Sequence, residues 1–180
     1  TVVENAFHEH GALIFPEQHV TDEEQAAFGE RFGDIELLRD GKQKAVPISN
    51  QKPDGTAMDA EETRFKTLRG NEGWHTDSSY MPLAAKASIL SAQVVPSAGG
   101  ETELADMRAA YDALDAVTIE RIADLAAYHS LYASQAKAGY IFKTGESYGY
   151  HNKGAPLRPL VKVHPVTGRK SLFIGRHAYR

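Results

Sequence analysis

The start of the chain follows two patterns of apolar positions, one helical and one extended. Residues Val2 to His10 have the pattern of the end of an amphipathic helix, and Gly11 is the residue type that commonly closes one. The apolar run from Ala12 to Phe15 has the length of a short strand, and Pro16 breaks it. We therefore predict a helix followed by a strand.

A capping box marks the next helix. Thr21 can accept a hydrogen bond from an amide of the first turn, while Glu24 reaches back to the amide of Thr21. The helix is predicted to end at Gly33. Its predicted buried side consists of Ala27, Phe28 and Phe32.

The central part of the chain predicts three strands separated by irregular segments. The three segments have strand length and are Val46 to Asn50, Ser88 to Val95 and Glu101 to Leu104. The polar stretch from Gln51 to Asn71 predicts a long loop, which is either a lid or binding loop or simply disordered. Residues Pro96 to Gly100 must turn the chain between the second and third strands.

Two helices, a strand and a loop are predicted next. Asp106 is a predicted N-cap, and the helix after it has apolar residues at Met107, Ala110, Tyr111 and Leu114. The remaining predictions are a short helix over Val117 to Leu125, a strand over Tyr128 to Leu131 and a loop over Tyr140 to Gly154.

The last part of the chain predicts a β-hairpin. Its strands are Leu160 to His164 and Lys170 to Gly175, and its turn is Pro165 to Gly168. Short strands, long loops and a few helices are typical of a β-rich α+β fold, in which a β-sandwich or barrel carries helices on its outside.

Length and composition narrow the class of protein. With 180 residues and 42% hydrophobic residues the chain can build one good core, so we expect a single domain over residues 1–180. The formal net charge of -4 and the scattered basic residues argue against a nucleic-acid partner. The lack of cysteine excludes disulfides, thiolate metal sites and a cysteine nucleophile, and it fits a reducing cytoplasm.

Neither a membrane anchor nor a signal peptide is visible in this sequence. No apolar run approaches the roughly 20 residues that span a bilayer, so we expect no membrane partner and a cytoplasmic location. The chain opens on Thr1 without an initiator methionine and stops at Arg180 directly after a strand-like segment. We therefore expect the C-terminal part of the domain to be missing from it.

The segment from Gly73 to Tyr80 carries the strongest candidate chemistry. His75 and Asp77 are two residues apart, so in an extended strand both side chains project from the same face. Two histidines and one carboxylate form the facial triad that holds non-haem Fe(II) and leaves positions open for substrate and oxygen. The leading prediction is a metal site, although the same spacing also fits a surface histidine beside a turn-forming aspartate.

The neighbours of this pair strengthen the prediction of a metal site. The aromatic side chains of Trp74 and Tyr80 could form a dry wall around the site. The hydroxyls of Ser78 and Ser79 could hydrogen-bond the ligating carboxylate.

A third ligand would have to come from one of the seven other histidines. His164 lies beside a turn and His177 just after the last strand, and spacing favours neither strongly. Two histidines and a carboxylate could also hold zinc for hydrolysis, but the helical motif His-Glu-X-X-His is missing. Glycine-rich phosphate loops and the nucleophile elbow Gly-X-Ser-X-Gly are missing too, so nucleophilic hydrolysis lacks a candidate.

Three segments together resemble a known enzyme family. They are Gly73 to Tyr80, Ser97 to Leu114 and His164 to Gly175, with the sequences GWHTDSSY, SAGGETELADMRAAYDAL and HPVTGRKSLFIG. Their order and gaps resemble those of the Fe(II)- and 2-oxoglutarate-dependent dioxygenases of the taurine / 2,4-dichlorophenoxyacetate dioxygenase family. Gly11 to Gly33 also resembles the N-terminal strand and helix of that family, so the resemblance covers most of the chain.

The resemblance implies a double-stranded β-helix, or jelly roll, with flanking helices, in which His75 and Asp77 bind Fe(II). It also implies that Thr102 hydrogen-bonds a carboxylate of 2-oxoglutarate, a role that suits a small hydroxyl on a strand. In the family a distal histidine completes the iron site and a nearby arginine binds 2-oxoglutarate, both after a Trp-Asp-Asn-Arg-like segment. That segment is missing here, so we assign neither His164 nor His177 as a ligand.

The implied activity uses Fe(II), 2-oxoglutarate and O2 and yields succinate and CO2. Thr102 to Leu114 and Gly168 to Ala178 resemble the 2,4-dichlorophenoxyacetate branch more than the taurine branch. This implies hydroxylation next to the ether oxygen of an aryloxyalkanoate, which then collapses to a phenol and glyoxylate. Arg176 and His177 are candidates to bind the substrate carboxylate, although an exposed basic residue is the simpler interpretation of each.

Two alternatives stay open, a taurine or alkylsulfonate dioxygenase of the same family and a metal-free jelly-roll binding module. The expected partner is a small-molecule carboxylate or sulfonate substrate. Family members are commonly dimers or tetramers, so the resemblance also implies a homo-oligomer.

Overall fold

The computed structural model describes residues 1–37, 45–145 and 148–180. Within these ranges the chain forms six helices and four short strands. The helices are α1 (Val2–His10), α2 (Asp22–Glu30), α3 (Thr63–Gly70), α4 (Met107–Asp112), α5 (Ala116–Ile122) and α6 (Leu131–Lys137). The strands are β1 (Ala126–Tyr128), β2 (Leu157–Pro159), β3 (Val161–Val163) and β4 (Lys170–Leu172).

The chain divides into two compact units, each built from three stretches of sequence. The first unit contains Thr1–Ile35, Lys86–Leu125 and Leu160–Phe173. The second unit contains Glu36–Ala85, Ala126–Pro159 and Ile174–Arg180. The expectation of one domain over residues 1–180 stays a prediction.

Helix α1 of the first unit has the predicted bounds. Thr1 and Glu4 form a capping box at its start, and Gly11 follows it with a φ of 78°. Glycine adopts this left-handed conformation without steric strain, which explains why the helix ends here.

Helix α2 begins at the predicted capping box of Thr21 and Glu24 but ends before Gly33. Its buried residues are Ala26 and Gly29, whereas Phe28 is 39% exposed. The predicted buried side of this helix is therefore wrong, because the buried face is formed by Ala26 and Gly29 instead.

A single arginine joins the end of α1 to the start of α4. The carboxylate of Asp106 accepts hydrogen bonds from the first-turn amides of α4, as predicted for an N-cap. The same carboxylate pairs with the guanidinium of Arg108. That guanidinium also donates to the last carbonyls of α1, those of His8, Glu9 and His10. Arg108 thus satisfies acceptors that the end of a helix otherwise leaves unpaired.

The predicted hairpin is present, although its strands are shorter than expected. Strands β3 and β4 pair antiparallel with Val161 opposite Leu172, and α4 packs against β4. In the turn between them the Nδ1 atom of His164 accepts the amides of Val166 and Thr167. His164 therefore has a structural role in closing the hairpin.

The second unit contains two helices that the sequence patterns did not predict, α3 and α6. Helix α3 lies inside the stretch from Gln51 to Asn71 that was predicted as a loop. The side chain of Gln135 on α6 fills the space beside Gly70, where an added Cβ would overlap the Gln135 amide. A larger residue at position 70 would therefore displace the buried Gln135 side chain that packs α6 against α3.

The core of the second unit is largely aromatic. Its buried residues are Tyr80, Leu131, Phe142 and Tyr150. Beside it, β1 and β2 pair antiparallel with Ala126 opposite Pro159.

Several predicted strands do not form. The segments that lie outside the assigned strands are Ala12 to Phe15, Val46 to Asn50, Ser88 to Val95 and Glu101 to Leu104. Leu90 and Val94 are 64% and 84% exposed, and no strand within the described ranges pairs with this segment. The strand predicted over Tyr128 to Leu131 overlaps β1 only at Tyr128, since Ser130 caps α6 instead.

The described residues thus form an α+β chain with far fewer strands than a β-rich jelly roll. The loop predicted over Tyr140 to Gly154 contains no helix or strand where it is described, and residues 146 and 147 fall outside the described ranges. None of the helices within those ranges is both long and apolar enough to cross a membrane.

Candidate metal site

His75 and Asp77 lie where an irregular segment enters a tight turn of the second unit. The strand predicted here does not form; the chain instead turns over Asp77 to Tyr80. The amide of Met81 donates to the carbonyl of Ser78 at 2.9 Å and closes the turn. Ser78 has a φ of 53°, a left-handed conformation that residues other than glycine rarely adopt.

The turn brings the two predicted ligand side chains together. The Nε2 atom of His75 lies 3.1 Å from the Oδ1 atom of Asp77, and the Nδ1 atom donates to the carbonyl of Gly73 at 2.7 Å. The side chains of His75 and Asp77 are 26% and 56% exposed. Both therefore remain accessible to a ligand.

The pKa of His75 is raised above its ordinary value. The largest cause is the hydrogen bond to Asp77; burial opposes it, and the bond to the Gly73 carbonyl adds to it. The imidazole therefore readily binds a proton on Nε2, and that proton lies between Nε2 and the Asp77 carboxylate. A metal cation is attracted to the same place, because it too is stabilised by a nitrogen lone pair and a carboxylate oxygen.

The residues present fit a metal ion in two respects. Two ligand atoms that each lie about 2.1 Å from one ion, at a right angle, are about 3.0 Å apart. The observed separation of 3.1 Å between Nε2 and Oδ1 agrees with that value. Metal-bound histidines usually donate their second ring N–H to a carbonyl or carboxylate, as His75 does to Gly73.

The backbone after β4 contacts the segment that carries His75. The amide of Arg176 donates to the carbonyl of Trp74 at 2.9 Å. A Cβ on Gly175 would lie 3.1 Å from both the Cα of His75 and that carbonyl. Glycine at position 175 therefore permits the close approach that fixes the backbone of His75.

His177 is the histidine that the second unit brings nearest to the pair. Its ring centroid is 5.4 Å from that of His75, its side chain is almost fully buried, and burial lowers its pKa to about 3. The hydroxyl of Ser134 donates to the carbonyl of Leu131, so the Ser134 oxygen must accept from Nδ1 of His177. This assigns a neutral ring with its lone pair on Nε2.

No third ligand joins His75 and Asp77 in the part of the chain that the structure describes. Across those residues, no group of three or more histidine, aspartate or glutamate side chains is placed to hold a metal ion.

The predicted roles of the neighbouring side chains are only partly met. Tyr80 is buried beside the pair, but Trp74 is 59% exposed and does not enclose it. The Ser78 hydroxyl donates to the carboxylate of Glu36 at 3.1 Å and contacts the Tyr148 hydroxyl at 2.9 Å. It therefore stabilises the turn. The predicted bond from the Ser78 hydroxyl to the ligating carboxylate of Asp77 is wrong, because this hydroxyl contacts Glu36 and Tyr148 instead. Burial raises the pKa of both tyrosines.

Thr102 and His164, which were also considered from the sequence, lie in the first unit. Thr102 is exposed on a segment that is not a strand. His164 closes the β3–β4 hairpin. The structure therefore does not bring either residue together with His75 and Asp77 within one unit.

Sequence reasoning missed the side chains that surround the turn. Glu36, Tyr148, His151 and Arg158 lie 42 to 79 positions from the turn residues that they contact. A single sequence without related sequences gives no signal for contacts at such separations.

Comparisons with known proteins agree on one family. A family model described as "Taurine catabolism dioxygenase TauD, TfdA family" matches residues 1–180. The (S)-phenoxypropionate/alpha-ketoglutarate-dioxygenase of Sphingobium herbicidovorans is 50% identical over 180 residues, which are 97% of this chain and 61% of that protein. The alpha-ketoglutarate-dependent 2,4-dichlorophenoxyacetate dioxygenase of Cupriavidus pinatubonensis is 36% identical and matches 98% of this chain and 64% of its own length.

A solved structure supports the same relationship. The crystal structure of AAD-2 in complex with Mn(II) and N-oxalylglycine is 42% identical in sequence and superimposes with a TM-score of 0.85. The match covers 98% of this chain and 63% of the AAD-2 chain. The chain thus spans slightly less than two thirds of the length of these proteins.

Proposed function

The chain belongs to the TauD/TfdA family of dioxygenases, and we propose that the whole protein is an Fe(II)- and 2-oxoglutarate-dependent dioxygenase that acts on an aryloxyalkanoate. The observation that carries the proposal is the pairing of His75 Nε2 with Asp77 Oδ1 at 3.1 Å. In this proposal the whole protein has a fold similar to that of AAD-2. The rest of the protein would complete the jelly roll in which His75 and Asp77 lie.

In the proposed enzyme His75 and Asp77 hold the metal ion. Bound Fe(II), with 2-oxoglutarate and O2, supplies the oxidising chemistry for a C–H bond. The carbonyl of Gly73 keeps Nδ1 of His75 protonated and so presents the Nε2 lone pair to the ion. The buried aromatic ring of Tyr80 excludes water from one side.

Thr102 is proposed to donate its hydroxyl to a carboxylate of 2-oxoglutarate. Support comes from the resemblance of its segment to the family and from the exposure of its side chain, which leaves the hydroxyl accessible. The role needs only one O–H donor without added bulk.

Arg176 is proposed to meet the substrate carboxylate. It lines a shallow cavity of about 400 Å³ in the second unit together with Gly73, Ser134 and Lys137. Its Nη2 atom donates to the carbonyl of Ser134 at 2.9 Å, and burial lowers its pKa. The remaining N–H groups of its guanidinium can donate to a carboxylate bound in the cavity. The cavity is also lined by Gly73, in the segment that carries His75.

The substrate class follows from two relatives whose names specify aryloxyalkanoates, phenoxypropionate at 50% identity and 2,4-dichlorophenoxyacetate at 36%. Hydroxylation of the carbon between the ether oxygen and the carboxylate gives a hemiacetal or hemiketal. Its collapse breaks the bond to the ether oxygen and releases a phenol together with a 2-oxo acid. That acid is glyoxylate from an aryloxyacetate and pyruvate from a 2-aryloxypropionate.

The test uses the full-length protein with Fe(II), ascorbate, 2-oxoglutarate and air. The candidate substrates are (S)- and (R)-2-phenoxypropionate, 2,4-dichlorophenoxyacetate and taurine, with reactions lacking substrate or 2-oxoglutarate as controls. We expect succinate and a phenol in equal amounts from at least one aryloxyalkanoate. Sulfite release from taurine alone would move the substrate to the alkylsulfonates, and turnover with Zn(II) without 2-oxoglutarate would contradict the reaction class.

Oligomeric state and location complete the proposal. We expect a homo-oligomer, as the family resemblance implies, and a cytoplasmic location, which the lack of cysteine fits. Light scattering of the full-length protein tests the first point, and a monomer at micromolar concentration would contradict it.

A further inference from the structure

Four consecutive carbonyls of the turn that follows Asp77 face side-chain donors from one later stretch of the second unit. Arg158 donates from Nε to the carbonyl of Ser79 at 3.3 Å and from Nη2 to the carbonyls of Met81 and Pro82. His151 fills the remaining position, with its Nε2 atom 3.1 Å from the carbonyl of Tyr80.

The hydrogen bonds of His151 define its ring. The amide of Lys153 donates to Nδ1 at 3.2 Å, so Nδ1 must carry the lone pair. The other nitrogen therefore carries the hydrogen and donates to Tyr80. A neutral ring in this tautomer satisfies both contacts at once.

The guanidinium of Arg158 makes its side-chain hydrogen bonds to these carbonyls. No ion pair links it to an acidic side chain in the ranges that the structure describes. The planar guanidinium carries five N–H donors in a fixed fork, so it can serve three carbonyls together, whereas the compact ammonium of lysine cannot match that geometry.

The turn needs such support because its backbone is strained. The left-handed conformation of Ser78 is unfavourable for a residue other than glycine and persists only where the surroundings hold it in place. Arg158 and His151 hold the carbonyl side of the turn, while Glu36 and Tyr148 hold the Ser78 hydroxyl. Asp77 immediately precedes Ser78, so the position of its carboxylate depends on the same turn.

We propose that Arg158 and His151 are positioning residues for the metal site, which set the place of the Asp77 carboxylate by fixing the carbonyls of residues 79 to 82. The inference rests on the proposed function, because it assumes that Asp77 binds the metal. Neither residue touches the metal or the substrate in this account. Their effect is transmitted through the backbone of the turn.

The test measures the affinity of the full-length protein for Mn(II), from the electron paramagnetic resonance signal of the unbound ion. The main variant is Arg158→Met, which keeps an unbranched apolar stem and removes all donors. Arg121→Met is the matched control, because Arg121 is exposed and lies in the first unit. Thermal unfolding of each variant is recorded in parallel, and all affinities are measured well below the unfolding midpoint.

We expect Arg158→Met to weaken Mn(II) binding about 10- to 100-fold, the usual effect of removing a residue that orients a metal ligand. Arg158→Lys should recover part of this loss, and Arg121→Met should bind like the wild type. His151→Phe, which removes only one of the four bonds to the carbonyls of residues 79 to 82, should weaken binding less. If Arg158→Met does not fold, Arg158→Lys and His151→Phe carry the test, and both should bind Mn(II) more weakly than the wild type.

Two outcomes would overturn the inference and are distinguishable. If the wild type binds Mn(II) and the folded variants bind it equally well, the two residues only stabilise the fold and the proposed function stands. If the wild type itself binds no Mn(II), the proposed function fails and the inference fails with it.

Discussion

The Nε2 atom of His75 and the Oδ1 atom of Asp77 lie 3.1 Å apart, while the Nδ1 atom of His75 donates to the carbonyl of Gly73. The spacing suits two neighbouring ligands of one metal ion, and the bond to Gly73 fixes the ring that would bind it. The arrangement depends on a turn with a left-handed serine directly after the aspartate.

Replacing either ligand should remove turnover without unfolding the protein. In His75→Ala and Asp77→Ala, the full-length enzyme should form succinate only at the background rate, because a single remaining ligand from this pair cannot hold the ion. Far-UV circular dichroism should match the wild type, since both side chains are partly exposed. Asp124→Asn, a change of an exposed aspartate in the first unit, is the control and should remain active. Unchanged turnover in either alanine variant would remove the metal assignment.

Replacing Thr102 should affect 2-oxoglutarate more than the primary substrate. Thr102→Val keeps the branched shape and removes the O–H donor, so the KM for 2-oxoglutarate should rise about 10-fold, as expected for a lost bond to a charged acceptor. The KM for the aryloxyalkanoate should change little. Steady-state succinate assays measure both values. An unaltered dependence on 2-oxoglutarate would count against the proposed role.

Replacing Arg108 should destabilise the protein. Arg108→Ala leaves three carbonyls at the end of α1 without their donor and removes the pair with Asp106. We expect the free energy of unfolding in denaturant to fall by about 1–3 kcal/mol. Arg121→Ala is the matched control, and its free energy of unfolding should stay within about 0.5 kcal/mol of the wild type. Equal stability of the two variants would show that the contacts of Arg108 contribute little.

The pair of Asp106 and Arg108 also predicts a pH dependence. The hydrogen bond from Arg108 holds the pKa of Asp106 below its ordinary value. A carboxylate with a lowered folded-state pKa adds stability above its unfolded pKa of about 3.9, and this stability is lost as the pH falls further. Asp106→Asn keeps the N-cap and removes the charge, so it should be less stable than the wild type at pH 7. The difference should shrink below about pH 4, and a constant difference down to pH 2 would contradict this account.

Helix boundaries with local caps could be predicted from the sequence. The predicted caps, Thr21 with Glu24 and Asp106, each act within one helical turn, so the residues that define each helix start are neighbours in the chain. Gly11 acts in the same way at the end of α1. Such signals do not depend on the rest of the fold.

Elements held by distant contacts could not be predicted. Glu62 at the start of α3 makes no side-chain cap, and the helix packs through Gly70 against Gln135, which lies 65 positions later. Strand β2 pairs with β1 about thirty positions earlier. The apolar run from Ser88 to Val95 reads as a strand, but a strand also needs a paired neighbour, and the described residues supply none.

The candidate site shows the same division. The pair His75 and Asp77 was recognisable because its spacing is local, although the supporting backbone is a turn and not the predicted strand. The residues that hold this turn, Arg158 and His151 above all, come from a later stretch of the chain. Their donors meet backbone carbonyls, which every residue type possesses, so no sequence pattern identifies the partners.

The most direct test of the account is equilibrium binding of Fe(II) to the full-length protein without oxygen, compared between the wild type and Asp77→Ala. The account predicts one Fe(II) per wild-type chain and a dissociation constant at least about 10-fold higher in the variant. Equal Fe(II) affinity of the two proteins, or no binding by the wild type, would contradict the assignment of His75 and Asp77 as metal ligands.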